Sequence, residues 1–236
     1  MPGGVGGAAA LRASPIPISD ESAHEAIIER MDSLILAFDR ALRTLSGSAQ
    51  MRRANPAASL AREANLSDED RKISISLMRV NHAGEVAAQA LYQGQALSAK
   101  SSAVQQKLAH ASDEELDHLV WTRQRLSELG GRPSLFDPLW YSGAFVIGAM
   151  AGAMGDKTSL GFLQATEEQV EAHLDTHLSH LPTEDTNSRA IVEQMKRDEG
   201  EHAQTARDLG AKQLSRPVQA LMRASSKIMT FSAAKI

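Results

Sequence analysis

Two short stretches of this chain carry the same acid–histidine spacing. DEELDH, residues 113–118, contains Glu115 and His118; DEGEH, residues 198–202, contains Glu199 and His202. Residues three apart share a helix face, so each pair offers one carboxylate and one imidazole to the same neighbour. That combination suits ligation of a divalent transition metal. The spacing alone is a weak signal, because 16 Glu and 8 His among 236 residues give about half an E-x-x-H by chance. A third example, Glu21 with His24, has no matching partner acids and is expected to face solvent.

The acids upstream change the weight of the pattern. A two-metal carboxylate bundle needs one more inward Glu from each of two further helices. Glu85 is flanked by Ala83, Gly84, Val86, Ala87 and Ala88, and Glu167 stands near Leu163 and Val170. Glu85 precedes Glu115 by 30 residues and Glu167 precedes Glu199 by 32, intervals that suit two helical hairpins. The interval of 52 positions from Glu115 to Glu167 leaves room for the crossover of a ferritin-like bundle. Oxygen-rich ligation with one imidazole per ion suits iron or manganese better than a structural zinc. Glu115, with Glu167 or Glu199, is the expected bridge.

The elements that must position these groups are legible as helices. Residues 21–45 place Ile27, Ile28, Met31, Leu34, Ile35, Phe38, Leu42 and Leu45 on one face, ended by Gly47. A linker follows over 47–66. Ser67, followed by Asp68, Glu69 and Asp70, is a good N-cap for a helix to about Leu97. Further helices are expected over 102–129, 157–180 and 185–209, with Gly130 and Gly210 as stops and Pro217 in the first turn of a last short helix. Alternating β-branched runs are absent. The expected fold is all-α: a ferritin-like four-helix bundle with a long crossover plus additional N- and C-terminal helices. Its parts are a loose Gly/Ala/Pro-rich tail (1–20), an N-terminal helix and linker (21–66), the metal-binding domain (67–211, with an apolar crossover at 138–155) and a basic amphipathic segment (212–236).

Composition narrows the function classes. The formal net charge is −4 and cysteine is absent. Disulfides, thiolate metal sites and cysteine nucleophiles are excluded. The acidic site-bearing helices argue against nucleic acid as a partner. A storage bundle would not need the apolar segment or the basic tail.

The ordered set VNHAGEVAAQALYQGQ, EELDHL, TEEQVEAHL and DEGEHA resembles the Coq7/Cat5 family of demethoxyubiquinone hydroxylases, over about residues 66–211. The helix at 21–45 resembles the longer bacterial branch. The resemblance implies metal ligands at Glu85, Glu115, His118, Glu167 (rather than Glu168), Glu199 and His202. It implies two iron ions per chain, O2 as co-substrate and electrons derived ultimately from NADH, without flavin. The implied reaction is ring hydroxylation of a polyprenylated methoxy-methyl-benzoquinone in ubiquinone biosynthesis. His173 matches a family histidine near the site, a candidate catalytic group. Other ubiquinone-biosynthesis proteins are possible partners, and the implied location is peripheral, on the cytoplasmic side of a bacterial inner membrane.

Supporting residues are expected around the ligands. A metal-bound His usually gives its other N–H to an oxygen acceptor; Glu114 lies one turn before His118 and Asp198 one turn before His202. His82 and Tyr92 are expected either at a substrate cavity or as packed, hydrogen-bonded groups. The small residues Gly84, Ala87, Ala88 and Gly94 either line a cavity or let helices approach. His173, His177 and His180 share a face, expected to be solvated at the latter two. Residues 138–155 hold no charged side chain, with Trp140 and Tyr141 near one end, and no acid follows Asp208. Both segments are expected to meet a membrane surface.

Overall fold

The computed structural model describes residues 19–60 and 66–236, and every regular element among them is helical. The helices are α1 Ser19–Ser46, α2 Asp68–Ala96, α3 Ser102–Glu128, α4 Asp137–Ala153, α5 Asp156–His180, α6 Thr186–Asp208 and α7 Arg216–Ala233, with a 3-10 turn at Pro56–Ser59. The all-α expectation holds. The helices bearing the two E-x-x-H pairs and the two upstream acids end within one residue of their expected bounds. The tail expected over 1–20 lies outside the described residues up to residue 18.

Local chemistry sets these bounds. Ser67 Oγ accepts from the Asp70 N–H at 3.1 Å, and Asp68, Glu69 and Asp70 occupy the positive first turn of α2. Past α3 and α6 the chain turns at Gly130 and Gly210, with φ of +78° and +84°, a region open to glycine at little cost. Two further contacts level the helices. Asp185 caps α6 through the Ser188 N–H at 2.8 Å while its Oδ1 accepts from Arg125 of α3, also at 2.8 Å. Asp156, opening α5, accepts from the backbone N–H groups of Lys100 and Ser101 in the α2–α3 turn, at 2.9 and 2.8 Å.

The chain divides into two units within α1, between Leu36 and Ala37. In the first unit Ile27, Ile28, Met31, Ile35 and Leu36 are exposed, as is His24. The apolar face read from the sequence there is open to solvent at these residues. In the second unit Phe38 and Leu42 are also exposed, whereas Ala41 and Leu45 pack with Val86, Ala90, Leu119 and Tyr141. The segment before α2 is pinned by Asp117, and Ala233 near the end of α7 is buried against Val80 and Ala83.

α2 with α3, and α5 with α6, form the two expected hairpins. Two apolar clusters fill the space between them. One holds Met78, Trp121, Leu174, Ile191 and Met195; the other holds Tyr92, Leu108, Leu160, Leu163 and Ala206. On each of the four helices the ligand candidates fall between these two levels.

The crossover is itself a helix. α4 lies along α2, and a Cβ on Gly148 would collide with the Leu91 carbonyl, as one on Gly94 would with the Phe145 carbonyl. Gly94 thus serves close packing, whereas Gly84 faces open space. Small residues take the inner face of α4, and Leu139, Val146, Ile147 and Met150 stand exposed on the other. No helix among the described residues is long and apolar enough to cross a membrane.

Candidate metal centre

The two hairpins bring six side chains together: Glu85 from α2, Glu115 and His118 from α3, Glu167 from α5, Glu199 and His202 from α6. All six are buried, from 0% exposed for Glu115 and His118 to 7% for His202. They form two overlapping groups whose ligand atoms lie within 4.8 Å of one another: Glu85, Glu115, His118 and Glu199; and Glu115, Glu167, Glu199 and His202. Glu115 and Glu199 belong to both.

Their carboxylates face both ways. Glu115 turns Oε2 toward His118 Nδ1 and Oε1 toward His202 Nδ1, each at 3.3 Å. Glu199 turns Oε1 toward His118 Nδ1 at 3.3 Å and Oε2 toward His202 Nδ1 at 3.5 Å. Glu85 reaches only the first imidazole, with Oε2 3.5 Å from His118 Nδ1.

Two cations fit this donor set. Both oxygens of Glu115, Oε2 of Glu85 and Glu199, and Nδ1 of both histidines are buried without a hydrogen-bond partner. Buried polar atoms are normally satisfied, so six such atoms converging on one spot ask for a shared electrophile.

The electrostatics agree. Burial, then the neighbouring carboxylate, holds Glu85 and Glu167 well above the usual carboxylate range. Burial also opposes ionisation of Glu115, but the imidazoles of His118 and His202 beside it overcome that and keep the group low. Burial disfavours charge on His118 and His202 too; the surrounding acids outweigh it and pull both imidazoles toward the protonated form. A cation arriving at Nδ1 must therefore displace a proton.

The outer nitrogens are held across the bundle. His118 Nε2 meets Asp198 Oδ2 at 2.8 Å, and His202 Nε2 meets Glu114 Oε2 at 2.9 Å. Glu114 and Asp198 do hold imidazoles, but each serves the histidine of the opposite helix rather than the one that follows it in sequence. With Nδ1 turned inward, Nε2 points over the α3–α6 seam.

Tyr92 donates its hydroxyl to Glu167 Oε1, and burial keeps that phenol protonated. His82 sits elsewhere, 1% exposed, with Nδ1 3.1 Å from Thr122 Oγ1 and Nε2 3.8 Å from Asp137. It is a packed, hydrogen-bonded group, the second of the two expected roles. His173 also lies off the cluster. Its ring is 4.0 Å from that of His177, and it lines a groove of about 400 Å³ with Arg223 and Lys227 of α7. His180 is exposed, whereas His177 is buried with Nδ1 2.7 Å from Asn81 Oδ1, against the expectation of a solvated group. Two contributors went unread in the sequence: buried Asp117 and the Arg53 it anchors, with Nε 2.9 Å from Asp117 Oδ2. The only sequence signal was an Arg52-Arg53 pair in an aperiodic linker.

Residues 72–233 match the family described as Ubiquinone biosynthesis protein COQ7. The chain belongs to this family. Proteins named 3-demethoxyubiquinol 3-hydroxylase are similar to it along most of their length. That of Chromobacterium violaceum is 53% identical, covering 87% of this chain and 100% of its own. That of Aromatoleum aromaticum is 54% identical with the same coverage. That of Burkholderia thailandensis is 54% identical, covering 86% of this chain and 97% of its own. Among solved structures, the bacterioferritin-related thioferritin of Bacteroides fragilis aligns at a TM-score of 0.50 and 20% identity, over 58% of this chain and 84% of that one. The likeness concerns fold alone, and it agrees with the ferritin-like bundle expected of this COQ7-family member.

The packed histidines carry a pH consequence. Burial, then Arg123 for His82 and His173 for His177, pushes each imidazole down to about 3. Unfolded histidine titrates near 6.5. Between those values the unfolded chain binds protons that the folded one refuses, so stability falls as pH drops. The loss is of order 2 kcal/mol per histidine at pH 5. In urea unfolding, His177→Gln is expected to lose less stability than wild type between pH 7 and pH 5; equal losses would contradict the assignment.

Proposed function

We propose that this chain is a diiron monooxygenase that hydroxylates the ring of a polyprenylated 3-demethoxyubiquinol in ubiquinone biosynthesis. The observation that carries the reading is the pair of shared carboxylates, Glu115 and Glu199, each with one oxygen toward either imidazole. Family membership and the names of the relatives supply the substrate class. Those names give the quinol, where the sequence reading had the benzoquinone.

Glu115 and Glu199, common to both groups, would help hold both irons, with Glu85 and His118 beside one and Glu167 and His202 beside the other. Four carboxylates balance two divalent ions, and oxygen-rich ligands suit iron. The irons supply the chemistry that side chains lack, joint two-electron reduction of O2. The balance is one oxygen atom into the vacant ring carbon and one into water, with two electrons and two protons consumed. The electrons derive ultimately from NADH.

The protein's own residues do the rest. Asp198 and Glu114 take the Nε2 hydrogens and leave Nδ1 as the donor. Tyr92 orients Glu167 and holds a proton at its hydroxyl. The apolar clusters above and below keep water out. Iron-loaded protein is expected to convert a short-chain demethoxyquinol with O2 and reductant. Glu199→Gln should lose more than about 100-fold in turnover, beyond the range typical of outer contacts. A folded wild type that holds two irons and yields no product would overturn this reading.

The polyprenyl tail places the substrate in a bilayer, and we infer peripheral contact at the cytoplasmic side of a bacterial inner membrane. Leu139, Ile147 and Met150 of α4 are exposed, as are Leu221, Ile228 and Phe231 of α7. Lys212, Arg216, Arg223, Lys227 and Lys235 accompany them with no acid after Asp208. Apolar insertion plus attraction to anionic lipid suits reversible binding. The protein should co-sediment with vesicles containing phosphatidylglycerol, less so at high salt or as Phe231→Asp. Recovery in the supernatant under all conditions would contradict it.

A further inference from the structure

We propose that Arg53 is a positioning residue for both imidazoles: one guanidinium from the segment before α2 holds Glu114 and Asp198 together, and through them keeps Nδ1 of His118 and His202 aimed at the carboxylates. This rests on the two-ion reading above and deepens it.

Arg53 touches every group that controls the outer nitrogens. Its Nη1 lies 2.9 Å from Asp198 Oδ2 and 3.5 Å from Glu114 Oε1. Its Nη2 lies 3.4 Å from His118 Nε2. The guanidinium carbon sits 5.0 Å above the Trp121 ring, and that ring is 5.5 Å from the imidazole of His118.

The arginine is itself anchored. Asp117, 2% exposed on α3, accepts from the Arg53 side chain at Nε and from its backbone N–H. It also accepts from the Arg52 backbone N–H, and Arg52 pairs with Asp113 one turn away. The position of the guanidinium is therefore fixed from α3, the helix that carries His118.

Charge explains why a cation belongs there. Glu114 and Asp198 come from opposite helices, and each accepts an Nε2 hydrogen most strongly as a carboxylate. Two such acids repel; a positive group between them favours both charges and draws them inward. Gln194 donates to Asp198 Oδ1 at 2.8 Å, which leaves Oδ2 for Arg53 and His118. Shape explains why the cation is arginine. A planar fork with several N–H donors can reach Asp117, Glu114 and Asp198 while stacking on an indole, whereas a lysine ammonium is a point charge on a flexible stem.

Removing the fork should free both acids to turn toward solvent and leave the imidazoles unheld. Losing such a support typically costs 10–100-fold in metal affinity. The test uses the full metal-free chain, titrated with Co2+ and followed by visible absorption and calorimetry. Imidazole N–H exchange is read by NMR on the metal-free protein. Wild type is expected to bind two Co2+ per chain. Arg53→Met, with wild-type helicity, should bind both at least about 10-fold more weakly and exchange its Nε2 protons at least about 10-fold faster. Arg53→Lys should recover only part of each loss. Wild-type affinity and exchange in a folded Arg53→Met would overturn the proposal. Should Arg53→Met fail to fold, Arg53→Lys decides: full wild-type behaviour overturns it, and partial loss supports it. Fewer than two Co2+ in wild type would instead defeat the two-ion reading, and the exchange rates would still judge Arg53.

Discussion

Four carboxylates lie a few ångströms apart in the dry middle of a helical bundle, and the rest of the structure answers to that concentration of charge. Two unit charges 4 Å apart repel by about 4 kcal/mol even at an effective dielectric of 20. Such a cluster persists by keeping carboxyls protonated, as burial favours at Glu85 and Glu167, or against matching positive charge. The two imidazoles provide some of it by taking up protons, and two divalent ions would provide all of it. The apolar clusters on either side make the problem sharper, because they exclude the water that would otherwise screen the acids. Under the proposed function they also shield an activated oxidant from side reactions.

Positioning follows from the same need. The acids and imidazoles compensate one another only if four helices stand at the same level. Asp185 with Arg125, and Asp156 with the α2–α3 turn, set that level at opposite ends of the bundle. The crossed pairs, His118 with Asp198 and His202 with Glu114, then tie α3 to α6 at the height of the site. Each hairpin thus completes the other's histidine, so neither half is a finished site alone.

What could be read from the sequence divides along physical lines. Helix bounds and the six clustered side chains obey local rules: a 3.6-residue period, caps, glycine stops, and a hairpin spacing near 30 residues. The crossed acids do not, because a four-residue offset along one helix says nothing about a neighbour across a seam. Arg53 was hidden for a similar reason, lying in a segment with no period and acting on residues more than sixty positions away. His82 sits three residues before Glu85 yet packs toward Thr122, since its ring turns away from the cluster. The exposed apolar residues of α1 broke the usual equation of an amphipathic face with a buried one. On α2 the small residues Gly84, Ala87, Ala88 and Gly94 read as cavity or contact; only the close approach of the α4 backbone decides for contact at Gly94.

The central claim is that Glu115 and Glu199 are shared between two ions, each ion completed by one histidine Nδ1. A crystal of the protein soaked in Mn2+ or Fe2+, with anomalous diffraction collected at the metal edge, measures this directly. The account predicts two anomalous peaks about 3.5–4 Å apart, both within bonding distance of Glu115 and Glu199, one beside His118 Nδ1 and the other beside His202 Nδ1. A single peak, or an ion bound through Nε2 with Asp198 or Glu114 displaced, would contradict it.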